Sequence, residues 1–258
     1  MDSLKGRRAV VTGASQGIGR AIANAFAAEG ADVASISLPS TEGRASLERE
    51  IRAHGQRSIV VEGTTADSEA VDRLAEDVIR EWGGIDIWVN NAAKLLVRPF
   101  VDTTDAAWHE LMSANLFGYV YGCRAAARHM TTAGKGSIIN ITSVSDIQPT
   151  GGLSAYTTAK GAIVAMTKAL ALELGPSNVR VNALAPGPTE TPLNTDAWTD
   201  KVRETYRSRI SLGRIAEPAE IADVAVFLAG DGSRYITGQE ILVDGGMTIN
   251  GNVGHRET

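Results

Sequence analysis

The chain has 258 residues, of which 25 are basic and 30 acidic, giving a formal net charge of −5. This length suits one α/β domain whose core needs no disulfide or structural metal. The charges are interspersed and no apolar run approaches the roughly 20 residues that span a bilayer, so we expect neither a nucleic-acid nor a membrane partner. A single cysteine, Cys123, and a polar start without a signal peptide favour the cytoplasm.

Seven short β-type runs alternate with stretches of helical periodicity. We predict strands at residues 9–11, 33–37, 58–61, 85–89, 137–141, 180–184 and 240–243. Right-handed crossovers between such strands require a mainly parallel sheet with helices on both faces, the doubly wound Rossmann-type α/β fold. No linker or repeat divides the chain, so we expect one domain over residues 1–258, with its ligands beyond the carboxyl ends of the strands.

Directly after the first strand comes the segment TGASQGIG, residues 12–19, followed by a helix predicted at 20–29. Its glycines, Gly13, Gly17 and Gly19, have the spacing G-x3-G-x-G. Glycine allows a tight turn and close approach of a pyrophosphate, and the helix N-terminus offers free N–H groups to the phosphates. The position between strand and helix predicts a dinucleotide site.

The fourth strand runs into the segment NNAA, residues 90–93. We interpret Asn90 as fixing the backbone beside the cofactor ribose, with small alanines admitting the dinucleotide. The alternative is a plain turn, because asparagine favours turns.

A tyrosine and a lysine, Tyr156 and Lys160, open a long apolar helix thirteen residues after Ser143, which itself follows the fifth strand. The i,i+4 spacing places both side chains on one helical face. An adjacent ammonium stabilises a phenolate and lowers the pKa of the phenol, so Tyr156 is a candidate acid/base. The alternative is a tyrosine at the surface beside a solvated lysine.

These motifs, with Asn115 in a helix and the turn Pro186-Gly187, resemble those of the classical short-chain dehydrogenase/reductase family over essentially the whole chain. The resemblance implies that Tyr156 exchanges the proton of the reacting oxygen, to which Ser143 hydrogen-bonds. Lys160 would bind the nicotinamide ribose and lower the pKa of Tyr156, and Asn115 would hold a water of a proton relay. The cofactor contacts that it implies are Gly13, Ser15, Gln16, Gly17, Ile18, Gly19, Ser37, Thr64, Thr65, Asn90, Asn91, Ala92, Tyr156, Lys160, Pro186, Gly187, Thr189 and Thr191.

The cofactor choice between NAD(H) and NADP(H) depends on the end of the second strand. Members that select NAD usually have an acid there, but this chain has Ser37 and no acid from 33 to 41. A 2′-phosphate would meet Ser37, Ser40 or Arg44, which favours NADP(H), whereas Gln16 stands where NADP-preferring relatives often have a basic residue. Thr64 replaces the acid that commonly reads the adenine, so Thr65 is expected to share that contact.

Substrate contacts are expected from the family's layout and from a lid over residues 186–215, whose first part, 186–198, is polar and irregular. The polar character of the candidates favours a sugar, polyol or sugar acid. The alternatives are a 3-oxoacyl-thioester reductase, a dehydratase or epimerase that keeps its cofactor bound, and a non-catalytic dinucleotide-binding sensor. The candidate substrate residues are Lys94, Ser143, Asp146, Gln148, Asn194, Trp198, Tyr206 and, in the tail 248–258, Arg256.

The histidines His54, His109, His129 and His255 stand far apart in the sequence, so we predict hydride transfer without a metal.

The helices predicted at 105–130 and 155–174 are rich in small and apolar residues on several faces, which favours a homotetramer, or a homodimer, built through them. We expect the tail 248–258 to be frayed; the alternative is that in the assembly it reaches a neighbouring subunit's pocket, where Arg256 would pair with an anionic substrate group.

Overall fold

The structure is a computed structural model that describes residues 3–39, 41–195 and 198–251. Its seven strands form one parallel sheet in the order β3-β2-β1-β4-β5-β6-β7. The predicted doubly wound fold is therefore confirmed. The strands are β1 Arg8–Val11, β2 Asp32–Ser37, β3 Ser58–Glu62, β4 Ile87–Asn90, β5 Gly136–Ile141, β6 Val179–Pro186 and β7 Glu240–Val243.

Helices cover both faces of this sheet. The α-helices are α1 Gly17–Ala28, α2 Thr41–Ala53, α3 Ser68–Trp82, α4 Asp105–Met112, α5 Gly118–Ala133, α6 Ser154–Leu174, α7 Pro192–Thr195, α8 Asp200–Arg209 and α9 Pro218–Ala229. One core layer lies between the sheet and α1, α2 and α9, and the other between the sheet and α3, α5 and α6. Successive strand residues supply opposite layers, as Ile87 and Trp88 do, because side chains alternate along a strand.

The order of the strands reverses beside β1, since β2 and β3 lie on one side of it and β4 to β7 on the other. At such a switch point, the connections from neighbouring strands leave in opposite directions and open a cleft at the carboxyl edge. The connections after β1, β4, β5 and β6 carry the glycine loop, Asn91, Ser143 and Gly187 to this edge. The topology therefore gathers separate motifs at one cleft.

Two predicted segments differ from the structure. The helix expected at 105–130 is interrupted by a π-helical turn, Ser113–Phe117, which contains Asn115. A Cβ added to Gly118, the residue after this turn, would stand 2.9 Å from Thr65 Oγ1, so close packing against the loop after β3 accompanies the interruption. The stretch 186–198, predicted to be irregular, contains the short helix α7.

None of the helices in the described part of the chain has the length and apolar character of a membrane span.

Candidate active site

The glycine loop forms one wall of a cleft of about 300 Å³ at the switch point. Gly13 and Gly17 have positive φ angles of 69° and 57°, which L side chains rarely adopt. A Cβ on Gly19 would stand 2.3 Å from Asn91 Nδ2, so that position requires glycine. The N-terminus of α1 has no side-chain cap at Gln16, so its N–H groups remain for an anion. The loop thus fits a dinucleotide pyrophosphate.

A buried threonine, Thr12, ties this loop to the segment after β4. Its Oγ1 accepts hydrogen bonds from the N–H groups of Asn91, at 2.9 Å, and of Ala92, at 3.2 Å. The side chain of Asn91 donates in return to the carbonyl oxygens of Thr12 and Gly13. Asn91 and Ala92 therefore line the cleft as predicted, and Asn91 also fixes the shape of the glycine loop.

The role predicted for Asn90 is wrong. Its side chain is buried beneath the sheet edge, where Oδ1 accepts from Trp88 Nε1 at 2.8 Å and Nδ2 donates to Asn140 Oδ1 at 2.9 Å. The same amide contacts Cys123 Sγ, and burial raises the pKa of that thiol to about 12. Alternation along β4 turns Asn90 toward α5, so it stabilises the core beside the cleft and does not line it.

The cleft meets a second cavity of about 360 Å³ at Tyr156, which lines both together with Ile18, Thr191 and Leu193. Ser143 lines the second cavity, and its Oγ accepts a hydrogen bond from the Ser145 N–H, which orients the hydroxyl. Tyr156 lines the same cavity, and the Ser143 hydroxyl acts to lower the pKa of its phenol. The structure therefore brings this predicted pair together where the two cavities join.

Lys160 lies beneath Tyr156 on the same face of α6, as the i,i+4 spacing predicts. Its Nζ is 5.5 Å from the centre of the Tyr156 ring and donates to the carbonyl oxygen of Ile141 at 2.7 Å. It also donates to Tyr119 Oη at 3.1 Å, and only 1% of the lysine is exposed. The alternative of a solvated surface lysine is therefore wrong.

The expected lowering of the Tyr156 pKa is not found in the protein alone. Burial raises the pKa of Tyr156 to about 12, and the hydrogen bond with Ser143 offsets only part of that rise. Burial also lowers the pKa of Lys160 to about 7, because an ammonium loses its hydration there. Desolvation of both groups therefore outweighs the attraction between the Lys160 ammonium and the Tyr156 phenolate.

Asn115 is fully buried in the π-helical turn, and its amide pairs with the main chain of Lys94. Oδ1 accepts from the Lys94 N–H at 2.7 Å, and Nδ2 donates to the Lys94 carbonyl at 2.8 Å. Both polar atoms of the side chain are thus engaged in holding the segment after β4 against the helix. The water-holding role stays a prediction.

The far end of the cleft is lined by Ser37, Thr64 and Thr65, as predicted. Ser37 is paired in the sheet with Glu62, whose carboxylate forms a 3.1 Å ion pair with Arg44. Residues 33–41 contain no acid, but strand pairing brings Glu62 beside Ser37, a residue 25 positions earlier. Ser40, the other predicted phosphate contact, lies outside the described residues.

The second cavity has walls that are mostly apolar. Of the predicted substrate residues, Gln148, Asn194, Trp198 and Tyr206 line it together with Ser143. The lining identified by the structure alone includes Leu95, Val97, Val144, Leu153, Val202 and Met247. These apolar residues lie in loops and short helices without hydrophobic periodicity, so no sequence pattern predicts them.

Two charged candidates, Lys94 and Asp146, do not line this cavity. Lys94 borders the cofactor cleft, and its Nζ is 2.7 Å from Glu110 Oε1 on α4. The Cβ of Asp146 lies near Gly161 on α6, at 3.8 Å from where a Cβ of that glycine would stand. The Lys94 side chain therefore reaches α4 and the Cβ of Asp146 lies beside α6, while Arg256 lies outside the described residues.

The described residues of the segment 186–215, which omit 196 and 197, cover the second cavity. Pro186, Gly187 and Thr189 line it, and Thr189 Oγ1 donates to the carbonyl oxygen of Gly187 at 3.0 Å. The rings of Trp198 and Tyr206 lie 4.9 Å apart and pack on a small core with Met247. This part of the segment is therefore structured and packed, in contrast to the loop that its polar sequence predicts.

The segment is also fixed by charge. Arg203 on α8 forms an ion pair with Glu190, and its guanidinium lies 5.7 Å from the Trp198 ring centre.

His, Cys, Asp and Glu side chains form no group of three or more suited to a metal anywhere in the described ranges.

A Rossmann-type sheet with a glycine loop, and a serine, tyrosine and lysine where two cavities meet, defines a dinucleotide-dependent oxidoreductase. The family model described as enoyl-(acyl carrier protein) reductase matches residues 13–248. The chain belongs to the short-chain dehydrogenase/reductase family, whose named relatives here are dehydrogenases and reductases that act on CH–OH or carbonyl groups.

Relatives with different substrates are similarly close. A 3beta-hydroxysteroid dehydrogenase 1 of Eggerthella lenta is 37% identical over 250 residues, covering 96% of each chain. An L-rhamnose 1-dehydrogenase (NAD(P)(+)) of Azotobacter vinelandii is 38% identical over 246 residues, covering 93% of this chain and 96% of its own. The crystal structure of a short-chain type dehydrogenase/reductase from Mycobacterium marinum superposes with a TM-score of 0.90 at 34% identity, covering 96% of this chain and 97% of that one.

Proposed function

We propose that this NAD(P)-dependent oxidoreductase interconverts a neutral secondary alcohol and its ketone, with the carbon skeleton held in the second cavity. The observation that carries the proposal is the lining of that cavity, which is largely apolar and, over the described residues, contains no charged side chain. Transferring an anionic group into such a site without a partner is costly. The cavity, about 360 Å³, lies at the small end of the range for ligand sites, so the substrate is of modest size.

Polar groups at one side of the cavity would orient the substrate. Ser145 Oγ and Gln148 Oε1 are buried and have no hydrogen-bond partner among the described residues. A buried polar atom without a partner is costly, so a substrate hydroxyl that hydrogen-bonds to them would be favoured. This supports a second hydroxyl on the substrate and keeps a neutral sugar or polyol within the proposal, while a sugar acid is disfavoured.

In the proposed reaction, the reacting oxygen lies between the hydroxyls of Ser143 and Tyr156. A nicotinamide dinucleotide held along the glycine-loop cleft would supply or accept the hydride. With its pKa near 12, Tyr156 is protonated at neutral pH and donates its proton to the carbonyl oxygen as the carbon takes the hydride. Lys160, held beneath the ring, stabilises the phenolate that results and binds the ribose. In alcohol oxidation, the same groups act in reverse.

The proposed cofactor is NADP(H); the name of the L-rhamnose 1-dehydrogenase relative gives NAD(P)(+) for that enzyme. Arg44 lies near Ser37 through its ion pair with Glu62 and would bind a 2′-phosphate. Glu62 competes with the phosphate for that guanidinium, so the preference is expected to be modest.

A 3-oxoacyl-thioester reductase is the second candidate, supported by a 3-oxoacyl-[acyl-carrier-protein] reductase FabG of Thermotoga maritima that is 37% identical to this chain. An acidic carrier protein needs a basic surface near the helix before β5. Two of the cations there have partners within the fold, since Arg128 pairs with Asp72 at 3.4 Å and Lys135 with Asp86 at 3.0 Å. The third, Arg124, is exposed on α5 and lies 5.3 Å from the centre of the Tyr121 ring. This arrangement weakens the carrier-protein alternative.

The test is a substrate panel followed at the nicotinamide absorbance with NADP(H) and with NAD(H). The panel contains neutral secondary alcohols, neutral sugars and polyols, sugar acids and acyl thioesters. We expect the highest kcat/KM for a neutral alcohol or its ketone. A preference for a sugar acid or an acyl thioester would contradict the proposal, and a matched pair of neutral and carboxylated substrates isolates the effect of charge.

We also propose that the protein is a homotetramer or homodimer built through α5 and α6. Exposed apolar side chains on or beside these helices, Leu172 at 83% and Phe117 at 47% exposure, support such an interface. The proposed reach of Arg256 into a neighbouring pocket is tested by deleting residues 252–258. A rise in KM for charged substrates alone would support it, whereas unchanged kinetics would favour a frayed tail; sedimentation reports the assembly.

A further inference from the structure

A second tyrosine, Tyr119, lies against the buried lysine of the site. It stands on α5, one helical turn after Asn115, and is 1% exposed. Its hydroxyl accepts a hydrogen bond from Lys160 Nζ at 3.1 Å and donates one to the Ile141 carbonyl at 2.9 Å. Lys160 donates to that same carbonyl at 2.7 Å. The three groups form a buried triangle at the end of β5, two residues before Ser143.

The groups around Lys160 are neutral near pH 7. Tyr156 faces it from α6, Tyr119 from α5 with Cys123 behind, and β5 contributes the Ile141 carbonyl. Burial raises the pKa values of Cys123 and both phenols, so these groups hold their protons while Lys160 titrates. Among these groups, the oxygens of Tyr119 and Ile141 are the acceptors that favour the charged lysine.

We infer that Tyr119 is a positioning residue whose hydroxyl keeps Lys160 in its ammonium form and aims it at Tyr156. The inference rests on the proposed role of Lys160 in catalysis. An ammonium has three N–H donors. Two of them point to Ile141 and Tyr119, which fixes the direction of the third and the place of the charge beneath the Tyr156 ring.

A purely structural role would need only the ring, which fills the layer between α5 and the sheet. Tyr119→Phe keeps that ring and removes the acceptor, so it separates packing from the hydrogen bond. Tyr121→Phe is the matched control, because Tyr121 is on the same helix and its ring stacks on Phe117 at 6.4 Å.

The experiment is a pH profile of kcat/KM for ketone reduction with the three proteins. Loss of an acceptor disfavours the ammonium, so the alkaline limb of Tyr119→Phe should move to lower pH by about one unit. At about pH 8 the activity should fall about tenfold relative to the unaltered protein, and at about pH 5.5 by less than about twofold. Tyr121→Phe should follow the unaltered profile. A Tyr119→Phe profile that superimposes on the unaltered one, or an equal loss at every pH, would overturn the inference.

Cofactor binding provides a readout that needs no substrate. The Kd of NADPH or NADH is measured by the fluorescence of the reduced cofactor. As the pH increases, this Kd should rise at a lower pH in Tyr119→Phe than in the unaltered protein, because Lys160 would bind the ribose. If no substrate turns over but this shift is seen, the proposed function fails and the inference stands. If a substrate turns over but the shift is absent, the proposed function stands and the inference fails. Replacing Tyr119 by 3-fluorotyrosine keeps the hydroxyl but weakens it as an acceptor. The alkaline limb of kcat/KM and the pH dependence of Kd should then move in the same direction as in Tyr119→Phe, but by less. This second variant keeps the inference testable if Tyr119→Phe fails to fold.

Discussion

Replacing Lys160 by methionine should stabilise the protein while abolishing its activity. Lys160 is almost completely buried, and burial lowers its pKa from 10.5 to about 7. Methionine has a similar volume and no charge, so it removes the cost of burying an ammonium. Tyr119 Oη continues to donate to the Ile141 carbonyl in the variant, so that acceptor keeps a partner.

The size of the effect follows from the difference between the folded and unfolded pKa values. Below pH 7 both states hold the proton, and the penalty is the full difference of about 3.5 units, or about 5 kcal/mol. As the pH rises, the folded lysine loses its proton first, so the unfolded state binds more protons and the stability of the unaltered protein increases. At about pH 9 the remaining penalty is about 2 kcal/mol. The stabilisation by Lys160→Met should therefore shrink by about 3 kcal/mol between about pH 6 and about pH 9.

Urea unfolding at these two pH values, followed by circular dichroism without cofactor, measures the change. Comparing the two pH values cancels any difference in packing, because the packing of methionine does not depend on pH. Lys168→Met, which removes a lysine from an exposed position on the same helix, is the control for the substitution itself. Equal stabilisation by Lys160→Met at both pH values would show that the lysine is not buried as a titrating ammonium, and the reasoning about the site would fail.

Three further predictions concern catalysis, cofactor binding and cofactor choice. Tyr156→Phe should lower kcat by about 10²-fold or more and leave the dinucleotide Kd nearly unchanged, since it removes only the proton donor; retained activity on a confirmed substrate would contradict the mechanism. Gly19→Ala should weaken cofactor binding and lower the melting temperature, because its Cβ would overlap Asn91, whereas Gly161→Ala, where the nearest atom is 3.8 Å away, should do neither. Ser37→Asp should shift the ratio of kcat/KM values toward NAD, and an unchanged ratio would show that the 2′-position lies elsewhere.

The local motifs were sufficient to predict the fold and the central part of the site. Alternation of β-type runs with helical stretches predicts a parallel doubly wound sheet, since crossovers have one preferred hand. The sequence was sufficient to select the glycine loop, Ser143 and the Tyr156–Lys160 pair as candidates, because each depends on short-range spacing within one strand–loop–helix unit. The structure places all of them at the two adjoining cavities or directly beneath them.

What the sequence left open depends on contacts between distant segments. Strand pairing decides that Glu62 stands beside Ser37, and alternation within β4 decides that Asn90 faces the core. The pKa of Tyr156 depends on burial by several elements at once, which no spacing along α6 reports. Tyr119 reaches Lys160 across 41 residues. The sequence by itself determined which groups are candidates for the chemistry, while only the packing of α5, β5 and α6 decided what holds them in place.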